Sequence, residues 1–336
     1  MTPRIVYVQQ SGSVSPRQAG YLSGNALRYA EGSNGEVGMS PGNSVNLALK
    51  LFATHWRTFA VQILLGYAWC LPGFLILLVG LGAAIAMGMG GLALPAVITG
   101  ILGVGIGIWV LGIGLAQLLA YSAMLSRFCV QELLGQPESV AQAKAVVMPL
   151  RWKFLWNGLL LILLLMLIYS AIATVFVIVA AIAFGVAAAI ESTPLMVVAG
   201  IIMLALFSVG LGIWLYFFCR WMIAEVPLAL EPGLSPFGSI QRSWDLTQGS
   251  GRTLLLVSFI TFLVTLPALA ISSYIPQLFL LGLEEWSPLY TTIYALSSVL
   301  SILVNVLIVP FWQALKAVVY VDLRQRREGL GLSLSP

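Results

Sequence analysis

The chain has 336 residues, of which 60% are hydrophobic and only 8% charged, with a formal net charge of +4 and a mean hydropathy of +0.99. A soluble globular domain could not bury so much apolar surface, which excludes that class. The apolar runs are long and unbroken, whereas transmembrane β-strands would alternate over roughly 10 residues. The sequence therefore predicts an all-α integral membrane protein.

The chain opens with residues 1–43, which are rich in Ser, Gly and Asn and lack apolar periodicity, so we interpret them as a flexible tail. A helix needs roughly 20 apolar residues to cross a bilayer. Six runs meet this length, at about 59–86, 92–124, 154–189, 194–219, 253–276 and 288–315. We expect a six-helix transmembrane domain over residues 44–325, followed by a C-terminal tail over residues 326–336.

A short amphipathic segment precedes each pair of spans, near residues 45–54, 140–150 and 237–245. These segments are too short to cross, and their periodicity predicts helices that lie at the membrane interface. A basic residue then opens the next span, and these residues (Arg57, Lys153 and Arg252) are 96 and 99 residues apart. The recurrence predicts three units, each an interfacial helix plus a helical hairpin, at about 44–135, 138–231 and 235–325.

The basic residues all fall on one side of a six-span chain. All 16 Lys and Arg residues lie in the termini and in the two long loops, and the opposite loops carry only Glu191, Glu284 and Glu285. Basic loops resist translocation, which predicts that both termini and both long loops are cytoplasmic. This face would carry a net charge of +7. It either only fixes the orientation or also attracts anionic lipid headgroups.

Two hairpins end alike, in RFCVQE from Arg127 to Glu132 and in RWMIAE from Arg220 to Glu225. A five-residue spacing places the two charges of each pair about 140° apart on a helix, so they are poor partners for each other. Glu225 could instead pair with a base from another unit. Together with Trp244 and Asp245 of the third amphipathic segment, these residues are a candidate interaction site or structural joint.

Polar and small residues inside the spans form two further patterns. Ser297, Ser301 and Asn305 recur every four residues in the last span and predict a polar stripe. The stripe either hydrogen-bonds to other helices or lines a polar pathway for a substrate. In the second span, Gly103 and Gly107 form a GxxxG pair, which predicts close helix packing within the chain or between chains.

The sequence predicts no catalytic residue, no cofactor and no metal. His55 is the only histidine, and the three cysteines have no paired spacing, so a His or Cys metal site is not expected. Neither a GxSxG elbow nor a phosphate-binding loop is found, and the glycine-rich run at 100–114 lies inside an apolar span without a preceding strand.

Several stretches resemble a bacterial family of integral membrane proteins, the membrane domain of glycerophosphoryl diester phosphodiesterase, and are most similar to cyanobacterial members. They are PGNSVNLALKLFATHWRTF, QPESVAQA, RWMIAEVPLALE with SIQRSWDLTQGSGRTL, and FWQALKAVVYVDLRQRREG, within about residues 41–330. The resemblance implies a plasma or thylakoid membrane. In that family, catalysis resides in a separate soluble barrel with histidines and metal-binding carboxylates. The expectation here is a membrane part without the barrel and without phosphodiesterase activity.

The sequence thus favours a non-enzymatic membrane protein that acts as a scaffold or as a regulatory or assembly factor at the cytoplasmic membrane surface. A transporter or channel that uses the stripe of the sixth span is the alternative, and a lipid-modifying enzyme comes third. We expect contact with the lipid bilayer, leave open binding of anionic headgroups, a membrane protein partner or a homo-oligomer, and expect no nucleic acid.

Overall fold

A computed structural model describes residues 40–285 and 287–328, and in these residues it contains helices and no strand. The α-helices are α1 (Pro41–Met89), α2 (Ala93–Leu133), α3 (Val140–Val147), α4 (Arg151–Ala189), α5 (Thr193–Trp221), α6 (Glu225–Leu230), α7 (Pro236–Thr247), α8 (Gly251–Leu269), α9 (Ile275–Leu280) and α10 (Pro288–Glu328). A 3-10 turn, Met148–Leu150, joins α3 to α4, and a π-helical segment, Ala270–Tyr274, joins α8 to α9.

Six helical segments are long and apolar enough to cross a membrane, which confirms the predicted all-α membrane fold with six transmembrane helices. The helices extend beyond the predicted apolar runs because polar residues at their ends remain helical. The predicted N-terminal tail lies mostly outside the described residues, and α1 begins at Pro41 with Ser40 as its N-cap. The C-terminal helix α10 continues to Glu328, into the predicted tail, and residues 329–336 are not described.

The three short amphipathic segments differ in how they join the long helices. The first is continuous with α1, a single helix of 49 residues, because no Gly or Pro interrupts the chain between Asn43 and Leu65. The second forms α3, which begins in a capping box between Ser139 and Gln142. The third forms α7, which Ser235 caps.

Helices α1 and α2 pack so closely that glycines form their contact. A Cβ added to Gly80 would lie 2.6 Å from the Cα of Gly103, and one added to Gly73 would lie 2.4 Å from the backbone nitrogen of Leu111. On α2, Gly107 faces the backbone and side chain of Leu77 in the same way. The predicted close packing at Gly103 and Gly107 therefore occurs, within the chain.

The buried core lies at one end of the helix bundle. It is formed by the start of α1, the end of α2, α3, the start of α4, the end of α5, α6, α7, the start of α8 and the end of α10. The other halves of the long helices carry their apolar side chains largely exposed. Such faces are expected where a lipid bilayer surrounds the protein.

Candidate functional site

The helical path breaks at the end of α5, within the RWMIAE motif. Helix α5 ends at Trp221, a turn follows, and α6 begins at Glu225. The amide of Ala224 donates to the Trp221 carbonyl at 3.0 Å rather than to Arg220, four residues earlier. The break precedes Pro227 of α6, and it leaves the Arg220 carbonyl in need of other donors.

Hydroxyl groups of α7 supply those donors. Ser243 Oγ donates to the Arg220 carbonyl at 2.8 Å and Thr247 Oγ1 at 3.2 Å, and Ser239 Oγ donates to the Ala224 carbonyl. The three hydroxyl residues recur every four positions, so they share one face of α7, and all are fully buried. We did not predict this stripe, although its spacing is visible in SIQRSWDLT. It fixes α7 against the broken helix.

Arg220 is buried at the same place, with 3% of its surface exposed. Its guanidinium carbon lies 4.0 Å from the ring centroid of Trp244 and 5.9 Å from that of Tyr216. Such cation–π contacts favour a buried charge. The structure thus brings together two of the predicted site residues, Arg220 and Trp244, while the adjacent Asp245 is exposed.

Glu225 is the centre of a second cluster. It forms an ion pair with Lys316 of α10 and accepts a hydrogen bond from Gln313 Nε2 at 2.9 Å. The same amide nitrogen lies 2.5 Å from Ser122 Oγ of α2. Glu225 therefore pairs with a base from a distant helix, outside the unit that the sequence predicts for it. Gln313 is 3% exposed, and its Oε1 accepts no hydrogen bond from the described residues.

The earlier motif, RFCVQE, uses its charges differently. Arg127 donates to both carboxylate oxygens of Glu138, at 2.9 and 3.1 Å, and to the carbonyl of Ala229 at 2.9 Å. Glu132 pairs with His55 Nε2 of α1 at 2.9 Å. The two motifs share a glutamate that pairs with a base from another helix, but the two arginines have unlike surroundings.

A third cluster links α6 and α7 to the end of α10. Arg242 Nε donates to Glu231 Oε1 at 3.1 Å, and the same guanidinium pairs with Glu328. The hydroxyl of Tyr320 also donates to Glu231, at 2.9 Å. Burial lowers the pKa of Arg242, but its bonds with Glu328 and Glu231 outweigh this, and the net pKa is raised. Arg242 therefore stays charged, and none of these four residues was predicted.

The polar stripe of α10 satisfies most of its hydrogen bonds locally. Ser297 donates to the carbonyl of Tyr294 and Asn305 to that of Ser301, each at 2.8 Å within the helix. Only Ser301 reaches another element, with its Oγ 3.3 Å from that of Ser273 in the π-helical segment. One residue of the stripe thus bonds to another element, and both interpretations, interhelical hydrogen bonding and a polar pathway, stay predictions.

An apolar groove of about 600 Å³ lies between α4 and α5. Two smaller cavities, of about 290 and 210 Å³, adjoin the groove, and Lys316 lines both of them. Leu165 lines the groove and the first of them, and Ile162 lines the groove and the second. The sequence did not predict this space, because it depends on how far the helices stand apart.

Together these features define a polytopic α-helical membrane protein with a buried polar network at one end of its helices. No protein-family model, no curated protein and no solved structure matches the chain. In residues 40–285 and 287–328, no group of three His, Cys, Asp or Glu residues is arranged to hold a metal ion.

Proposed function

We propose that the protein is a non-enzymatic scaffold that presents a rigid surface at the cytoplasmic side of a bacterial plasma or thylakoid membrane. The proposal places both termini and the basic end of the helices in the cytoplasm, as the distribution of Lys and Arg favours. It also places α3 and α7 at the membrane interface. The likeness to the membrane-domain family agrees with a function that needs no catalytic barrel.

The observation that carries the proposal is the position of the segment from Glu225 to Glu231. Its side chains and carbonyls lie in the second proposed unit and bond to α2 of the first unit and to α7 and α10 of the third. A surface that is fixed in advance binds a partner with a smaller entropic cost than a flexible one. We infer that the network holds this end of the protein in one shape for binding.

Most candidate joint residues are used inside the protein, and one is available for a partner. Arg127 and Glu225 form ion pairs, Glu132 contacts His55, and Arg220 stacks on Trp244. Asp245 is exposed, so it is the residue that we assign to partner contact. A charge at the edge of an interface mainly sets association rate and specificity.

The direct test is affinity purification from native membranes of the wild type, Asp245→Lys and Gln241→Lys. Gln241 is exposed one helical turn before Asp245 on α7 and serves as the matched control. A scaffold predicts a stoichiometric partner that the wild type and Gln241→Lys retain and that Asp245→Lys loses. Recovery of the protein without a stoichiometric partner in all three preparations would contradict the proposal.

A flux assay in proteoliposomes separates this function from transport. The scaffold proposal expects no solute flux above that of empty vesicles, and therefore no effect of Asn305→Leu on flux. A flux that the wild type supports and Asn305→Leu abolishes would replace the scaffold with a transporter that uses the stripe.

A further inference from the structure

The groove between α4 and α5 has an apolar lining that opens to the side of the protein. Large side chains of both helices line it, among them Tyr169, Phe176, Phe207 and Trp214. Met166 is 60% exposed and Phe207 57% exposed, so the groove is open to the surroundings of the helices. Its volume of about 600 Å³ falls within the roughly 300–1,000 Å³ of small-molecule pockets.

The position of the groove among the membrane-spanning helices favours a lipid chain as its occupant. The lining of α4 runs from Ile162 to Phe176, roughly 21 Å at the standard helical rise. A single hydrocarbon chain is narrow enough, and the six membrane-spanning helices bring the groove into contact with lipid.

The groove leads to a pair of opposite charges. Leu161 and Met222 line both smaller cavities, and so does Lys316, while Glu225 lines the cavity of about 210 Å³. The side chains of Lys316 and Glu225 are 20% and 15% exposed, so each retains some access. An apolar channel that ends in charged groups is suited to an amphiphile.

The charges at this end select the headgroup. Lys316 and Glu225 carry opposite charges and sum to zero, which disfavours an anionic headgroup relative to one that carries both signs.

We infer that the α4–α5 groove holds one acyl chain of a glycerophospholipid whose headgroup carries a phosphate and a primary ammonium. The phosphate binds Lys316, and the ammonium donates to Glu225. Loss of the N–H donors, as in a quaternary ammonium headgroup, weakens binding about tenfold, because a hydrogen bond to a charged group contributes roughly one power of ten in affinity. The site does not depend on whether a protein partner docks on α7.

Binding of the acyl chain in the groove is tested in nanodiscs that contain equal amounts of phosphatidylethanolamine, phosphatidylcholine and phosphatidylglycerol. The protein is released from them into mild detergent, and native mass spectrometry counts the lipids that it keeps. We expect one retained lipid on the wild type and at least a tenfold loss of occupancy in Ala173→Phe, which fills the groove. The matched control is Ala171→Phe, on an exposed face of α4 outside the groove lining, and it keeps the lipid.

Selection of the headgroup is tested with the double variant Glu225→Gln with Lys316→Gln, which removes both charges and retains polar groups of similar size. We expect the wild type to prefer the ethanolamine lipid over the choline lipid about tenfold and the double variant to show no preference. The control, Arg324→Gln with Glu328→Gln, neutralises another pair on α10 and keeps the preference.

Three results would overturn the inference. They are a wild type that retains no lipid, equal occupancy in Ala173→Phe and the wild type, and a preference for the anionic lipid. Thermal unfolding of each variant in detergent identifies any that fails to fold. For such a variant the milder Ala173→Leu replaces Ala173→Phe, with the same expected direction of change.

Discussion

The first and second pairs of long helices differ in the size of the residues that lie between them. On α1, Gly66, Gly73 and Gly80 recur every seven residues, and each faces an atom of α2 closer than a side chain would allow. On α5, a Cβ added to Gly210 would meet only the γ2 methyl group of Ile172, and one added to Gly212 would meet nothing within 4 Å. The spacing of small residues therefore distinguishes α1 and α2, a closed pair without a gap, from α4 and α5, an open pair with a groove between its helices.

The difference matters because helices in a bilayer gain little from the hydrophobic effect when they associate. Packing between close backbones is the main attraction, and small residues permit it. The pair α1 and α2 can hold itself together along its length in this way. The pair α4 and α5 is instead fixed at its base, where α5 breaks at Trp221 and the Ser243 and Thr247 hydroxyls bind the buried Arg220 carbonyl, which has lost its helical donor.

The largest effect is expected where a side chain is added to the closed pair. In Gly73→Leu, the new Cβ would lie 2.4 Å from the backbone nitrogen of Leu111, so α1 and α2 must separate. We expect a loss of at least about 3 kcal/mol in unfolding free energy, measured by denaturant titration in detergent micelles. In Gly82→Leu, on the same helix with open space around it, stability should stay within about 0.5 kcal/mol of the wild type. Equal effects of the two changes would mean that α1 and α2 do not pack as described.

A smaller loss of unfolding free energy is expected at the base of α4 and α5, where α7 contacts the end of α5. Ser243→Ala with Thr247→Val removes both hydroxyl donors of the Arg220 carbonyl and keeps the shape of α7. A buried carbonyl without a donor costs about 2 kcal/mol. The same titration should show this loss, and proteolysis between α6 and α7 should become faster. Gln241→Ala, on the exposed face of α7, is the control, and an equal loss there would show that the hydroxyl contacts are not responsible.

The open pair should tolerate a change that the closed pair does not. In Gly210→Leu the new Cβ would meet Ile172 Cγ2 at 2.7 Å, which is a side-chain atom rather than backbone, and both residues border the groove, so α4 and α5 have space to adjust. We expect a loss of about 1 kcal/mol. Gly212→Leu is the neutral control. A loss as large as that of Gly73→Leu would mean that α4 and α5 are in close contact after all.

The smallest effect is expected in the stripe of α10. Asn305 bonds within its own helix, to the Ser301 carbonyl, so its replacement breaks no contact between helices. We expect Asn305→Leu to change the unfolding free energy by less than about 0.6 kcal/mol, the average for a polar contact between membrane helices. A larger loss would show that Asn305 has a partner on another helix.

Much of the fold could be predicted because hydropathy responds to the bilayer rather than to tertiary contacts. The six apolar runs identified the six spans, and Gly103 and Gly107 indicated a close contact before their partner was known. Helix ends were harder to predict. Residues 44–54 were expected to form a helix of their own, but they continue into α1 because the chain contains no breaker there.

The polar network could be predicted only in part, because its partners are far apart in the sequence. The motifs identified Arg127, Glu132, Arg220 and Glu225 as a joint, and one partner of Glu225 was expected from another unit. Which residue would serve, Lys316, depends on the packing of α10 against α6. The groove has no sequence signature at all, since a bulky apolar residue looks the same whether it contacts a neighbouring helix or lines a space.

The most direct test of the difference between the two helix pairs is a cryo-electron microscopy map of the protein in nanodiscs that contain phosphatidylethanolamine. We predict a tube of lipid density between α4 and α5 that ends at Lys316 and Glu225, and direct contact without such density between α1 and α2. Contact between α4 and α5 along their whole length, or lipid density between α1 and α2, would contradict the difference between the two pairs.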